Sequence, residues 1–357
     1  MIRLLTRRSP DVTYFTGDPA LELEGLRAGP AGRWLRGDGN PHSVSDVARV
    51  LRTTERSRIF GYDLVVAAPR AVSLLLALDE SQAPAVVAAH QAAVTAAMGY
   101  LERRAVVVRD RRLGADHYAP ARWERVVAYT HGVNHHADPH LHDHVLVGSL
   151  PSGARTVLDG WSLRAHVWAA DALYRSHLRH TIGQSTSWRV WRSPRGVEHV
   201  VGVDEGYRVL WGGRHDERGP KRLWTREEMR DHWERQHSLW QSEVLVEPPE
   251  VSLTLNEHTF GAAFEGRDRV ARRDVVAAWA DAATDGRPGP VVERCVDLFY
   301  PALVGEGGWR EPTIGVTQAR AVSLVRERGP RPLDVSSLQH WRDAPVHDNG
   351  VELALVR

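Results

Sequence analysis

Three histidines in one short stretch have the spacing of a metal site. Residues 131–147 hold six of the chain's nineteen histidines, and His142 and His144 stand two residues apart where polar and apolar side chains alternate. In a strand, residues i and i+2 project from the same face, so these two imidazoles share one side of a sheet. His131 ends another strand-like run, and the turn residues between would return the chain as a hairpin. Three imidazoles converging from two strands predict a metal site with open coordination positions.

Two further residues could complete a reaction centre. Asp63 is the only charge in the strand-like run 62–68. A lone acid in a buried strand is costly unless paired, so it either meets the histidines or faces water from an edge strand. Tyr14 lies in a polar, turn-rich segment close to three arginines, which is not the setting of a core tyrosine. A metal would polarise a phosphate, the tyrosine would attack it, and the acid would accept the tyrosine proton or orient a histidine. The set predicts a phosphodiester transesterase.

The remaining histidines of the stretch are interpreted as ordinary polar residues of the turn; these are His135, His136 and His140.

Around the candidate residues, apolar runs predict strands at 62–68, 105–110 and 125–130. Spacings of three and four predict a long helix over 81–105, and Asp159 or Ser162 caps a second helix over 156–183. Residues 187–203 read as two strands around a Pro-Arg-Gly turn.

Composition narrows the class of protein. The chain has 357 residues, a net charge of +1, and apolar and charged fractions of 42% and 25%, as in globular proteins. Lys221 is the only lysine, so nearly all positive charge is arginine, which suits phosphate recognition. Cys295 is the only cysteine, which excludes an internal disulfide or a CxxC metal site. No P-loop and no long apolar run occurs, so we expect a cytoplasmic protein without membrane insertion and without a motor.

The motifs resemble those of the MobF group, the TrwC/TraI-like conjugative relaxases of the HUH endonuclease superfamily. HGVNHHADPHLHDHVLV resembles the family's three-histidine motif with its Pro-x-Leu-His-x-His core. GYDLVVAAPRAVSLLLAL resembles the strand-to-helix segment that carries the family's catalytic acid, which maps onto Asp63. The early Tyr14, followed by a Trp-x-x-Gly segment, resembles the nucleophile region. The likeness covers roughly residues 1–240.

The resemblance implies an α+β fold with a central antiparallel sheet and helices packed on it (the HUH/relaxase palm-like fold), plus a mostly helical C-terminal part. Residues 1–245 would form the DNA-nicking domain. Residues 246–357, which begin with a Pro-rich, acidic linker at 246–252, would form a small helical accessory module of unknown role, with no helicase domain.

The resemblance also implies the reaction. Tyr14 would nick one DNA strand at an origin of transfer, leaving a 5′-phosphotyrosine and a free 3′ hydroxyl, with Asp63 as acid/base. His131, His142 and His144 would bind a divalent ion, Mg²⁺ or Mn²⁺, and no organic cofactor is expected. Single-stranded DNA would be the substrate, and accessory DNA-binding proteins, a separate helicase and a coupling protein the partners.

Other readings stay open. Family members commonly carry two or more N-terminal tyrosines, whereas here Phe15 follows Tyr14 and the next tyrosine is Tyr62. A rolling-circle replication initiator or a single-strand transposase would use the same metal and tyrosine chemistry. A non-catalytic DNA-binding derivative would need neither. A plain metal hydrolase would explain the histidines but not Tyr14 or Asp63.

Overall fold

An antiparallel sheet lies at the centre of the computed structural model, which describes residues 1–16, 31–109, 118–134, 136–193, 195–203, 226–238, 269–299 and 313–315. Its strands are β1 (Ile2–Arg7), β2 (Ala31–Arg36), β3 (Gly61–Ala67), β6 (Val126–Val133) and β7 (Pro139–Gly148). They lie in the order β1-β3-β7-β6-β2, and each neighbouring pair is antiparallel. Short strands form three separate two-stranded ribbons: β4 (Val107–Arg109) with β5 (Tyr118–Pro120), β8 (Val190–Arg192) with β9 (Glu198–Val200), and β10 (Arg269–Ala271) with β11 (Thr313–Gly315).

Helices supply the other layer and the connections. They are α1 (Thr13–Thr16), α2 (Val44–Ala48), α3 (Arg70–Leu78), α4 (Ala83–Ala105), α5 (Gly160–Ser185), α6 (Arg226–Ser238), α7 (Arg272–Ala282) and α8 (Gly289–Phe299). The predicted cap of the second long helix is confirmed, because the Asp159 carboxylate accepts from the backbone amides of Trp161 and Ser162. No helix in the described ranges combines the length and apolarity needed to cross a bilayer.

The sheet has two unlike faces, and strand alternation decides which residue lies on which. On β7, Leu141, Val145 and Val147 join the main core beneath α4 and α5. Leu146 has the opposite parity and packs in a smaller cluster with Phe15 of the α1 turn. The predicted α+β class is confirmed, with the long helices α4 and α5 covering one face and the candidate site lying on the other.

The hairpin predicted from the histidine stretch is confirmed as β6 and β7. Its turn is built by Asn134, whose side-chain oxygen accepts from the amides of His136 and Asp138, while Ala137 adopts a positive φ of 62°. Such an Asx turn reverses the chain with local hydrogen bonds alone. His135, which was also predicted to lie in this turn, is outside the described residues.

Helices α7 and α8 come from the segment predicted as a separate module, yet they pack on the main core. Val276, Trp279 and Val296 are buried in the same cluster as residues of α4 and α5. The predicted linker at 246–252 lies outside the described residues, so a division at residue 245 stays a prediction.

Candidate active site

The three predicted histidines meet on one face of the sheet. His131 and His142 are direct partners in the β6–β7 register, and His144 follows two residues later on the same face. Their ring centroids are 5.0 Å (His131–His142), 5.3 Å (His131–His144) and 5.4 Å (His142–His144) apart. The strand period and the hairpin register therefore produce the cluster that the spacing predicted.

Neighbouring groups orient two of these imidazoles. His144 donates from Nδ1 to the Asp63 carboxylate, at 3.0 Å from Oδ1 and 2.9 Å from Oδ2. His142 donates from Nδ1 to the backbone carbonyl of His140 at 2.8 Å. A ring whose Nδ1 carries the proton keeps its lone pair on Nε2, which is how metal-binding histidines are held by their surroundings.

Burial keeps His142 neutral. Loss of solvent, followed by the proximity of His140 and His131, lowers the pKa of His142 to about 2. A neutral imidazole is the form that binds a metal, because protonation removes the lone pair. Of the two placements that the sequence leaves open for Asp63, the structure has the paired one: its side chain is buried, and its partner is His144.

The three rings lie about as far apart as imidazoles around one ion, but they do not converge on a common point. With N–metal bonds of about 2.1 Å, imidazole centroids around one ion lie roughly 4.6–5.3 Å apart. As the rings lie, however, no three His, Cys, Asp or Glu side chains in the described ranges have a geometry that could hold an ion. For the three imidazoles to bind one ion, their side chains would therefore have to rotate toward a common point.

Tyr14 stands over the cluster. It belongs to the one-turn helix α1, whose first residue donates from its backbone and hydroxyl to the Asp11 carboxylate at 2.9 and 2.7 Å. The Tyr14 ring is half exposed and lies 6.4 Å from the His131 ring and 5.9 Å from the His144 ring, between centroids. The structure thus places this tyrosine at the histidines although 117 residues separate it from His131 in sequence.

Phe15 holds that turn in place, a role that was not predicted from the sequence. Its side chain is buried, and its ring lies 5.4 Å from both Tyr129 and His144. Adjacent residues of the short helix point in different directions, so a buried Phe15 leaves Tyr14 at the surface. The local signal for this was an apolar Phe15 beside a tyrosine in an otherwise polar segment.

His140 was interpreted as a turn residue, but it lies in β7. It has the parity of His142 and His144, and its ring centroid is 4.6 Å from that of His142. Burial and the nearby Arg70 lower the pKa of His140, so this fourth imidazole is also neutral. The two-residue spacing was the signal that could have found it.

Tyr62 does not supply a second hydroxyl at the site. It is buried, and burial raises the pKa of its phenol above the ordinary value of 10.0. Among the tyrosines of the described residues, Tyr14 is the one placed over the histidines by ring contacts.

The α+β fold with its central antiparallel sheet is that of the class of DNA-nicking proteins that the sequence resembles. The family model of the TrwC relaxase matches residues 7–243, which is more than half of the chain, and the chain therefore belongs to the TrwC relaxase family. No curated protein matches the chain.

Solved structures of conjugative relaxase TrwC are similar to this fold. The metal-bound complex with oriT DNA has a TM-score of 0.55 at 16% identity, covering 67% of this chain and 98% of that one. TrwC with a 27-mer DNA comprising the recognition hairpin and the cleavage site gives 0.53 at 16% identity, with 67% and 98% coverage. A copper-bound complex with oriT DNA gives 0.53 at 16% identity, with 67% and 98% coverage. At this identity the likeness shows the fold.

Proposed function

We propose that this relaxase nicks one DNA strand at an origin of transfer by metal-assisted tyrosine transesterification. The observation that carries the proposal is the position of Tyr14, half exposed and within ring contact of His131 and His144. A nucleophile that must reach a phosphate in a large polymer has to be at the surface and next to the groups that stabilise charge.

Each residue has a defined task in this proposal. The Tyr14 oxygen forms a bond to the scissile phosphorus and the bond from phosphorus to the 3′ oxygen breaks. The phenol proton is lost to solvent, and the 3′ oxygen takes up a proton from solvent to become the 3′ hydroxyl. A divalent ion at the histidines would polarise the phosphate and stabilise charge on its oxygens. Since both oxygens of Asp63 are at hydrogen-bonding distance from His144 Nδ1, we assign Asp63 to orienting that imidazole rather than to taking the tyrosine proton.

Among the expected ions, the donor set favours Mn²⁺ over Mg²⁺. Mg²⁺ prefers oxygen ligands, whereas imidazole nitrogen suits transition metals. His131, His142 and His144 supply only nitrogen, and Asp63 is committed to a histidine. Binding of Mn²⁺ therefore should exceed that of Mg²⁺ at equal concentration.

The substrate in this proposal is single-stranded DNA, and a DNA substrate is supported by the similarity to TrwC in complex with oriT DNA. Accessory DNA-binding proteins, a helicase and a coupling protein would act with the chain in the cytoplasm. Of the alternatives, a non-catalytic DNA-binding derivative would have no reason to keep a phenol beside three clustered imidazoles. A rolling-circle initiator or a transposase would share the site and differ in the DNA it recognises.

The test is formation of a covalent adduct. Single-stranded DNA from the region flanking the gene is incubated with the protein and Mn²⁺, and SDS-resistant adducts are mapped. We expect an adduct for the native protein and for Tyr62→Phe, which is the control, and none for Tyr14→Phe or in EDTA. An adduct formed by Tyr14→Phe would refute the assignment of Tyr14 as the nucleophile. Undiminished cleavage in EDTA would refute the role of a divalent ion.

A further inference from the structure

A buried polar network lies behind the histidines, on the other face of the sheet. Asp143 is the residue between His142 and His144, so strand alternation points it away from them, toward the helices. Its side chain is fully buried. Arg33 and His90 both place a nitrogen at hydrogen-bonding distance from its carboxylate. The position of Asp143 in the core therefore depends on those two partners.

Arg33 joins the two strands that carry the histidines. Its Nη1 donates to Asp143 Oδ2 at 2.7 Å and to Thr130 Oγ1 at 3.1 Å. Thr130 and Asp143 face each other across the β6–β7 register, and each directly adjoins a candidate metal ligand in the chain. Gln91 of α4 adds a second donor to Thr130 Oγ1, at 3.1 Å. A single guanidinium thus fixes the strands one residue away from the site.

His90 joins the same carboxylate to the helical layer. Its Nε2 is 3.0 Å from Asp143 Oδ1, and its Nδ1 is 2.7 Å from the Tyr174 hydroxyl. With Nε2 donating to the carboxylate, Nδ1 accepts from the phenol, whose pKa burial raises well above 10.0. The chain of hydrogen bonds runs from α5 through α4 to β7. Both His90 and Tyr174 are fully buried, so water does not compete for these bonds.

We propose that Arg33, His90, Gln91, Thr130, Asp143 and Tyr174, here named the reverse-face network, are positioning residues that hold the β6–β7 segment carrying the three site histidines. The argument is geometric. A metal site requires its ligands to be held within about 0.5 Å, and residues behind the ligands supply that precision. Moving β7 along or away from β6 would separate a buried carboxylate from its partners, which is among the costliest changes in a core.

The residues of the reverse-face network are not among the family's metal-ligand and nucleophile positions. The sequence gives only a weak indication of the network. Strand parity predicts that Asp143 faces away from the histidines. Its partners come from β2, β6, α4 and α5 and are separated from it by up to 110 residues. The expected change in affinity for a metal ion rests on the proposed function of the histidines. The expected change in hydrogen–deuterium exchange of β7 does not.

The chain contains a matched control. Helices α4 and α5 share a second buried His–Tyr pair, in which the Tyr100 hydroxyl is 2.9 Å from His166 Nδ1. Tyr100 lies ten residues after His90, about 15 Å further along α4. His90→Phe and His166→Phe therefore remove the same kind of bond between the same two helices, but only the first removes a bond to Asp143 as well. Tyr174→Phe and Tyr100→Phe form a milder matched pair in case His90→Phe does not fold.

Two measurements on the full chain test the proposal: hydrogen–deuterium exchange of β7 peptides and the Kd for Mn²⁺ alone, by calorimetry. Exchange at residues 142–144 should accelerate in His90→Phe and, less strongly, in Tyr174→Phe, but not in the controls. The Kd should rise about tenfold in His90→Phe, the lower end for residues that support metal ligands. Equal exchange in the network and control variants would overturn the proposal. So would an unchanged Kd, provided that His131→Ala shows the ion to bind at the histidines.

Failure of the proposed metal role is recognised separately. If His131→Ala binds Mn²⁺ as the native protein does, the histidine site is refuted. The exchange measurement then decides the reverse-face network by itself: selective acceleration in the network variants supports it, and its absence overturns it.

Discussion

Replacing Asp63 tests how the site is assembled. The carboxylate has both oxygens within 3.0 Å of His144 Nδ1, and the pair is almost wholly removed from solvent. Asp63→Asn keeps the shape and one acceptor oxygen but loses the charge, whereas Asp63→Ala removes the partner entirely. The two variants therefore separate the charge of the carboxylate from its hydrogen bond.

The expected sizes follow from the strengths of these bonds. A hydrogen bond to a charged group contributes about 1.5–3 kcal/mol and a neutral one about 0.5–1.5 kcal/mol. Asp63→Asn should then weaken Mn²⁺ binding by about 1.4 kcal/mol, or about tenfold. Asp63→Ala should weaken it by up to about 2.7 kcal/mol, or about a hundredfold, because His144 loses both its tautomer and its orientation.

The assay is calorimetric titration with Mn²⁺, run beside the DNA adduct assay on the same samples. If Asp63 orients His144, affinity and adduct formation fall together and in the order native, Asn, Ala. Loss of the adduct at unchanged Mn²⁺ affinity would refute this reasoning and would make Asp63 the acceptor of the tyrosine proton. An Ala variant that binds as tightly as the native protein would show that His144 needs no partner.

Three further outcomes are expected. Phe15→Ala should lower the free energy of unfolding by about 3–5 kcal/mol in urea titrations and slow adduct formation, because the buried ring holds the turn that carries the tyrosine; a loss under about 1 kcal/mol would contradict this packing. Gly61→Ala should destabilise by about 1–3 kcal/mol, since its Cβ would stand 2.2 Å from the Val147 carbonyl oxygen, whereas Gly183→Ala, with open space around it, should not destabilise. Stability should fall as the pH drops from 6.5 toward 4, by up to about 1.4 kcal/mol per pH unit from His166 alone. Burial, followed by nearby arginines, lowers the pKa of His166 in the folded protein to about 3, so as the pH falls this histidine is protonated in the unfolded chain first. In thermal melts, His166→Phe should lose less stability per pH unit than the native protein. An equal loss in both proteins would contradict the assignment.

Sequence alone could place the histidines because their geometry is local. The two-residue period puts His142 and His144 on one face, and the Asn134 turn returns β7 beside β6, so His131 meets His142 within a single hairpin. Hairpin register depends on a few adjacent residues, and these are visible in the chain.

From the sequence, His140 was predicted to lie in the turn, because the residue at which a strand begins is what a sequence predicts least well. The structure continues β7 back to Pro139 and so adds a fourth imidazole to the face. Hydrogen bonding between β6 and β7 decides at which residue strand pairing begins, and these hydrogen bonds are not visible in the amino-acid sequence.

Tertiary structure decided everything that joins distant segments. The polar, arginine-rich setting of Tyr14 marks it as a candidate, but its place over the histidines depends on Phe15 packing against Tyr129. Asp63 meets His144 only because β3 and β7 are neighbours, 81 residues apart in the chain. The sequence by itself determined which side chains share a face, since that is a property of one strand; which faces and strands meet is set by the burial of the whole core.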